Sequence, residues 1–453
     1  MEKKTATTDL TTGSPIRQII LFALPLVFGT LFQQLYSFVD TIIVGRCVGV
    51  DALAGVGATY SLHFLTLGFV QGACVGFGIP VSQCFGAKDK TNVHRYLWNG
   101  IWLCGALSLV LTVGMTAAAL PLLQLIRTPG DIVGMAALYI RILFLGIPAS
   151  VLYNYSASVL RALGDSRHPF YFLLFSCGLN VVLDCLLVMG FGMGVAGAAI
   201  ATVISQLISG LLNAWWLFRR VAYVRVQKSE MPLSWPHIGK LCFIGLPMGL
   251  EYSLSAIGAV IMQDAINVLG STVVAAQTAG EKIRQMFTLP MESVGMAMAT
   301  YAGQNYGAGR LDRVRRGIRS GLLIEAVYSA AAWGILLVCK GGLVHLVLGD
   351  ADPAVTAGAV EYLGRISTLF MLLGGLMIFR YVLQGLGYSV HAIVSGVAEL
   401  LGRGFGSWLA LGGGFGFTAI CYANPLAWGM ALCYCVVMVL MLLRRLERKR
   451  DAR

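Results

Sequence analysis

Charge is what this sequence has least of. Charged residues make up 12% of its 453 residues, against 57% hydrophobic ones, where an average soluble domain carries about 25% charged residues. A water-soluble fold of this size could not cover its surface with so few charges, so lipid must replace water over much of the exterior. Metal-site and enzyme patterns are missing too. The 11 cysteines contain no C-x-x-C pair. Cys433 and Cys435 are separated by one residue, and Cys74, Cys104, Cys177, Cys185 and Cys421 sit inside apolar runs as small packing residues. No P-loop is present, which argues against ATP as the energy source. The six histidines, His63, His94, His168, His237, His345 and His391, form no H-E-x-x-H pair. Residues 1–15 are polar and the apolar run after them has no cleavage site, so no secretory signal is expected.

What is present is a series of long apolar runs. In hydrocarbon every backbone polar group must be paired internally, which leaves helices or a closed barrel. Barrels read as alternating segments of roughly ten residues, whereas Ile101–Leu125 and Trp428–Leu443 are continuous and uncharged. The expected fold class is therefore all-α, a polytopic membrane protein. Runs of about 20 residues, read against Gly, Pro and charge punctuation, place twelve spans near 17–44, 53–84, 95–125, 131–161, 169–189, 194–218, 238–269, 272–305, 316–348, 355–386, 391–411 and 417–443.

The net charge of +12 is distributed as short basic clusters between apolar runs, which suits acidic membrane lipid and argues against nucleic acid as a partner. With a cytoplasmic N-terminus, the inside segments hold Lys3, Lys4 and Arg17; Lys88, Lys90 and Arg95; Arg161 and Arg167; Arg219, Arg220, Arg225, Lys228 and Lys240; Arg310, Arg313, Arg315, Arg316 and Arg319; and the tail from Arg444 to Arg453. The outside segments hold Arg46, Arg127 and Lys340. By the positive-inside rule both termini face the cytoplasm of a cell membrane.

The second half repeats the first. Leu24-Pro25 matches Leu246-Pro247, Gln83–Ala87 matches Gln304–Ala308, and Val159–Gly164 matches Val382–Gly387, at offsets of 222, 221 and 223 residues. Six spans per repeat make both halves enter the membrane from the same side, related by a pseudo-twofold axis along its normal, and transporters often place substrate at such a repeat interface. The expected organisation is a cytoplasmic tail over 1–15, a six-helix lobe over 16–220, a linker over 221–236, a second lobe over 237–443 and a basic tail over 444–453.

Leu24-Pro25, Asp40-Thr41-Ile42-Ile43-Val44-Gly45-Arg46, Ala52-Leu53-Ala54, the Gln-Asn-Tyr-Gly-Ala stretch at 304–308 and the Leu-Gln-Gly-Leu-Gly stretch at 383–387 together resemble the multidrug and toxic compound extrusion (MATE) family over nearly the whole chain. The resemblance implies two six-helix lobes, a central cavity, and exchange of Na⁺ or H⁺ for an organic substrate, with no cofactor.

An ionisable group at membrane depth points to function by default. Asp40 lies in the first span and Asp184 in the fifth, four residues after Asn180 and on the same helix face; Thr202 lies in the sixth. These four resemble the family's cation-coupling constellation. Two carboxylates, an amide oxygen and a hydroxyl are hard ligands suited to Na⁺, and the same carboxylates suit H⁺, because burial and mutual repulsion oppose a pair of bare charges. The purely structural alternative has Asp40 ending a helix and Asp184 pairing with a neighbour. The second half does not copy this set. Asn180 falls on Arg403 and Asp40 on Met262; the seventh-span position where some MATE proteins carry a coupling acid is Ser255, with Glu251 one turn earlier and Asp264 further on.

Glu399 and Arg403, like Glu361 and Arg365, are spaced as intrahelical pairs, while Glu325 and Arg380 find no partner by spacing. Gln34, Tyr36, Phe64, Tyr153, Glu251, Glu281 and Glu292 are candidates for a substrate cavity, and Pro25 and Pro247, inside spans, for hinges. Gly192-x-Gly194-x-x-Gly197 follows an apolar span and is expected to be a tight turn with close packing, not a dinucleotide site; Gly72-x-x-x-Gly76 is expected to be a helix-packing face. The resulting expectation is a monomeric secondary antiporter exporting small amphipathic or cationic compounds. A flippase for lipid-linked precursors, and more remotely a membrane-embedded enzyme, are the alternatives. The first is disfavoured by the scarcity of intramembrane basic residues, the second by the lack of a nucleophile–base pattern.

Overall fold

A computed structural model describes residues 8–224, 230–349 and 352–451. Of the orienting charges, Lys3, Lys4, Arg225, Lys228 and Arg453 lie outside the described residues. No strand occurs among those described. The helices are α1 (Pro15–Cys47), α2 (Val50–Ala58), α3 (Tyr60–Gly86), α4 (Lys90–Leu125), α5 (Val133–Leu145), α6 (Ile147–Ala162), α7 (Arg167–Asp184), α8 (Gly194–Arg220), α9 (Trp235–Val268), α10 (Ser271–Gly307), α11 (Leu311–Leu348), α12 (Pro353–Ser367), α13 (Phe370–Gly385), α14 (Val390–Leu411) and α15 (Gly416–Asp451).

All twelve expected spans are helical, with refinements in four of them. Eight helices are long and apolar enough to cross a membrane on their own. The spans expected near 131–161 and 355–386 are each a bent pair, α5–α6 at 46° and α12–α13 at 51°. The span near 53–84 divides after Ala58, and the one near 169–189 finishes in a π-helical turn, Cys185–Gly190. The remaining two, α10 and α14, carry Glu281, Lys282, Arg284 and Glu292, and Glu399 and Arg403, inside otherwise apolar helices. Large apolar side chains face outward, among them Leu125, Val338 and Leu346, each more than three-quarters exposed, as a lipid-facing surface requires.

The motifs that revealed the repeat are helix stops. Lys88 is left-handed (φ 59°); its N–H donates to Phe85 O and that of Asp89 to Cys84 O, both at 3.0 Å. This is the Schellman termination, in which a left-handed residue satisfies the last carbonyls of a helix. Gly309 (φ 72°) does the same in the second half, donating to Tyr306 O while Arg310 donates to Asn305 O. Gly164 and Gly387, both at φ 86°, form the next matched pair. Further matched left-handed positions are Gly49 and Gly270, Arg127 and Gly349, Gly192 and Gly414, and Gly194 and Gly416. The repeat therefore lies in the turns as well as in the spans.

The described residues form two compact units. One comprises Phe28–Ser253 with the residues up to Leu10; the other comprises Thr11–Val27 and the chain from Leu254 onward, so α1 and α9 each contribute to both. Within the first unit, the expected packing face on α3 meets α9. A Cβ at Gly72 would lie 2.6 Å from Met248 O, and one at Gly76 would lie 2.5 Å from Gly245 Cα. Gly197 likewise brings α8 against the π turn, 3.1 Å from the carbonyl carbon of Leu187. Within the second unit, the buried Arg313 fixes the start of α1, donating to the carbonyls of Gly13 (2.9 Å) and Thr12 (3.1 Å), to Gln18 Oε1 (3.1 Å) and to Asn305 Oδ1 (2.9 Å).

Candidate functional site in the first unit

Three polar stripes on apolar helices meet in the first unit. On α1, Gln33, Tyr36 and Asp40 follow helical spacing; on α7, Ser176, Cys177, Asn180 and Asp184; on α8, Thr202, Ser205, Gln206 and Ser209. Residues three and four apart share a helix face, so each stripe presents its polar groups in one direction. All of these except Asp40 and Asp184 line a cleft within the unit, together with Tyr153 of α6. Ser176 Oγ donates to Ser205 O at 2.7 Å, tying α7 to α8, and Ser150 of α6 donates to Gln206 Oε1.

Asp40 and Asp184 are neighbours, beside the cleft-lining Asn180 and Thr202. Asp184 is fully buried and Asn180 nearly so. With Nδ2 of Asn180 turned toward Asp184, it donates to Oδ2 at 3.3 Å, and Asn180 Oδ1 accepts from the Thr202 N–H at 3.3 Å. The Thr202 hydroxyl donates to Ala198 O (3.1 Å) and keeps its lone pairs to offer. Oδ1 of each aspartate is buried without a hydrogen-bond partner among the described residues. The expected four residues are thus adjacent.

Spacing did not reveal Tyr139 of α5, whose phenol interacts with both aspartates and with Tyr36. Gln33 lines the cleft rather than its neighbour Gln34. The Thr202–Ser209 stripe was a readable signal, four polar residues at i, i+3, i+4 and i+7 in an apolar span. Asp184 is also the last α-helical residue before the π turn, a distortion that recurs at functional sites.

The family model described as MatE matches residues 25–186 and 247–406. The chain belongs to the MatE family. Both matched stretches open on the prolines, Pro25 and Pro247, that begin the internal repeat. The chain is similar to "Probable multidrug resistance protein YpnP" of Bacillus subtilis, 28% identical over 390 residues that cover 85% of this chain and 86% of that one. It is also similar to the multidrug resistance protein NorM of Burkholderia vietnamiensis, 26% identical over 430 residues, 92% and 91% of the two chains. In fold it matches a multidrug resistance MATE family transporter of the MOP superfamily solved in an outward-facing conformation, with a TM-score of 0.92 at 22% identity over 99% of this chain and 100% of that one. As a MatE protein the chain is a multi-pass membrane transporter, not an enzyme.

The other candidate residues of this MatE protein are dispersed. Tyr36 and Tyr153 line the cleft. Phe64 is exposed and stacks on Tyr60, with ring centroids 6.2 Å apart. Glu251 is buried on α9 and is not among the cleft-lining residues. In the second unit Glu281 is bridged by Arg284 and accepts from Tyr362 Oη at 2.7 Å, and Glu292 accepts from Tyr381 Oη at 3.5 Å. Glu361 and Arg365 form their intrahelical bridge at 2.7 Å, as do Glu399 and Arg403 at 3.1 Å. Arg380, which had no partner by spacing, reaches across from α13 to Glu399 on α14. Pro25 and Pro247 lie inside α1 and α9.

Proposed function

We propose that this transporter is a secondary active antiporter that exports small amphipathic or cationic organic compounds by alternating access, with H⁺ as the coupling ion at Asp40 and Asp184. The observation that carries this is the placing of two acids, Asp40 and Asp184, side by side in the first unit, with Oδ1 of each buried and unpartnered among the described residues. Asp184, fully buried, and Asp40, half-buried, have no protein cation within ion-pair range among the described residues, so their charge state depends on an ion that comes and goes. Two acids side by side away from water cannot readily both carry charge, which supports a proton as the ion they take up. Asn180 holds Asp184 and the backbone of Thr202 in register. The cleft is lined by Ser205, Gln206 and Ser209 with Tyr36 and Tyr153, which supports an amphipathic substrate with aromatic contacts beside polar ones.

Exchange runs as follows. Proton uptake neutralises the pair and favours one arrangement of α1, α7 and α8; substrate leaves in that arrangement, and proton loss to the cytoplasm resets the site. Pro25 leaves the Leu21 carbonyl without its usual i+4 donor, which lets α1 bend, as Pro247 does for α9. MATE structures of the same fold have been solved in a bent and in a straight conformation. The six-helix lobes at 16–220 and 237–443, both termini in the cytoplasm and a monomeric assembly belong to the same proposal.

The test is reconstitution in liposomes with an imposed H⁺ or Na⁺ gradient and a fluorescent organic cation. An H⁺ gradient should drive accumulation and a Na⁺ gradient should not. Asp40→Asn and Asp184→Asn should each abolish driven movement while inserting normally; normal transport by both variants would remove the coupling site. Pro25→Ala should slow driven transport several-fold with substrate affinity retained, and an unchanged rate would take the hinge out of the mechanism.

A further inference from the structure

Glu325 stands apart from the acids around it. It lies in the middle of α11, 1% exposed, and neither of its carboxyl oxygens has a hydrogen-bond partner among the described residues. Glu281 and Glu399 in the same unit are matched, the first by Arg284 and Tyr362 and the second by Arg380 and Arg403. Glu325 is matched by none. The helices packed on α11 are α10, α12 and α13, and none of them brings a charged side chain into ion-pair range of it among the described residues. The titratable group nearest in effect is Tyr328 on its own helix, and that phenol donates to Phe287 O of α10 at 3.0 Å.

The surroundings are nonetheless shaped. Ser329, one turn along α11, is buried with its Oγ also unpartnered. Opposite both lies Gly374 of α13, where a Cβ would stand 2.9 Å from Glu325 Oε2 and 3.3 Å from Ser329 Oγ. The missing side chain of Gly374 makes the room in which the carboxyl group sits. An unpaired carboxylate away from water costs many kcal/mol, and the group takes a proton instead. A metal ion would need several oxygen ligands; the side-chain oxygen beside this carboxyl is the single Ser329 hydroxyl, and no cluster of three or more His, Cys, Asp or Glu occurs among the described residues.

We propose that Glu325, in the pocket made by Ser329 and Gly374, is a second proton-carrying site of this transporter, separate from Asp40 and Asp184. Its carboxylate binds a proton from water in one conformation, is buried as the neutral acid in the conformation described, and returns the proton to water when α11 and α13 part. The buried neutral acid follows from the geometry of α11 and α13; its exchange during transport rests on the antiport proposed above.

Infrared difference spectroscopy of the full chain in lipid nanodiscs tests both parts. The protonated-carboxyl C=O band that remains in the Asp40→Asn/Asp184→Asn double variant should vanish when Glu325→Gln is added to it, a change that keeps the shape and hydrogen-bonding capacity of the neutral acid. Gly374→Ala should shift the frequency of that band by crowding the carboxyl, which gives a second readout should Glu325→Gln fold poorly. Adding the organic cation should bleach the band, and Glu325→Gln should lower the number of protons exchanged per substrate in liposomes. A band insensitive to both Glu325→Gln and Gly374→Ala overturns the site. A band that vanishes in Glu325→Gln but responds to neither pH nor substrate shows a permanently held proton and overturns the carrier role. A Na⁺-dependent loss of the band overturns the choice of ion. If no gradient drives transport in any variant, the antiport proposal fails, while the response of the band to pH still decides the site.

Discussion

The two halves of this chain share their turns and differ over how acids are neutralised. In the first unit Asp40 and Asp184 meet each other, with Tyr36, Tyr139 and Asn180 around them. In the second, Glu281 meets Arg284, Glu361 meets Arg365, and Glu399 meets both Arg380 and Arg403. An acid held by a guanidinium is neutralised within the protein and has little use for a mobile ion; an acid pair among neutral groups needs one. The backbone departs from the repeat at the same place. The helix carrying Asp184 gives way to a π turn, whereas α14, its counterpart, runs as regular α-helix to Leu411. A duplicated fold has thus kept its caps and bends while the second half, Glu325 apart, set guanidinium groups against its acids and the first half kept an ion-dependent pair.

The sharpest way to break this contrast is to neutralise one acid on each side. Asp40→Asn or Asp184→Asn should reduce gradient-driven efflux to the level of empty liposomes and leave thermal stability in detergent near that of the wild type. Arg380→Met should do the opposite. It leaves Glu399 buried with one partner fewer, at a cost of about 3–5 kcal/mol, read as a lower unfolding midpoint and a smaller yield of folded protein. If Arg380→Met left stability intact and changed the coupling ion, the assignment of roles to the two halves would be reversed. Gly76→Ala, in the contact between α3 and α9, should cost about 1–3 kcal/mol through overpacking, again read from the midpoint. Smallest is a gain. Lys88 holds a left-handed position that its counterpart Gly309 fills without a side chain, so Lys88→Gly should stabilise by up to about 1 kcal/mol. No gain there would show that the Lys88 side chain makes up its strain elsewhere.

Much of the architecture follows from order along the chain alone. Scarce charge and continuous apolar runs dictate helices in lipid, because an unpaired backbone group has no partner there. The matched cap motifs dictate where helices stop and that the pattern occurs twice. Helical spacing places Asn180 and Asp184 on one face, and Glu361 with Arg365. These are local rules, and they hold whatever the neighbouring helices do. Partnership between helices is different, because it depends on rotational phase and on how closely two backbones approach. Nothing in the spacing marks Tyr139 as the phenol against both aspartates, Arg380 as the partner of Glu399, or Arg313 as the anchor at the start of α1 and not merely one more orienting charge. Nor does spacing leave Glu325 alone. That results from α13 presenting Gly374 where a cation could have stood, a choice made only when the helices pack.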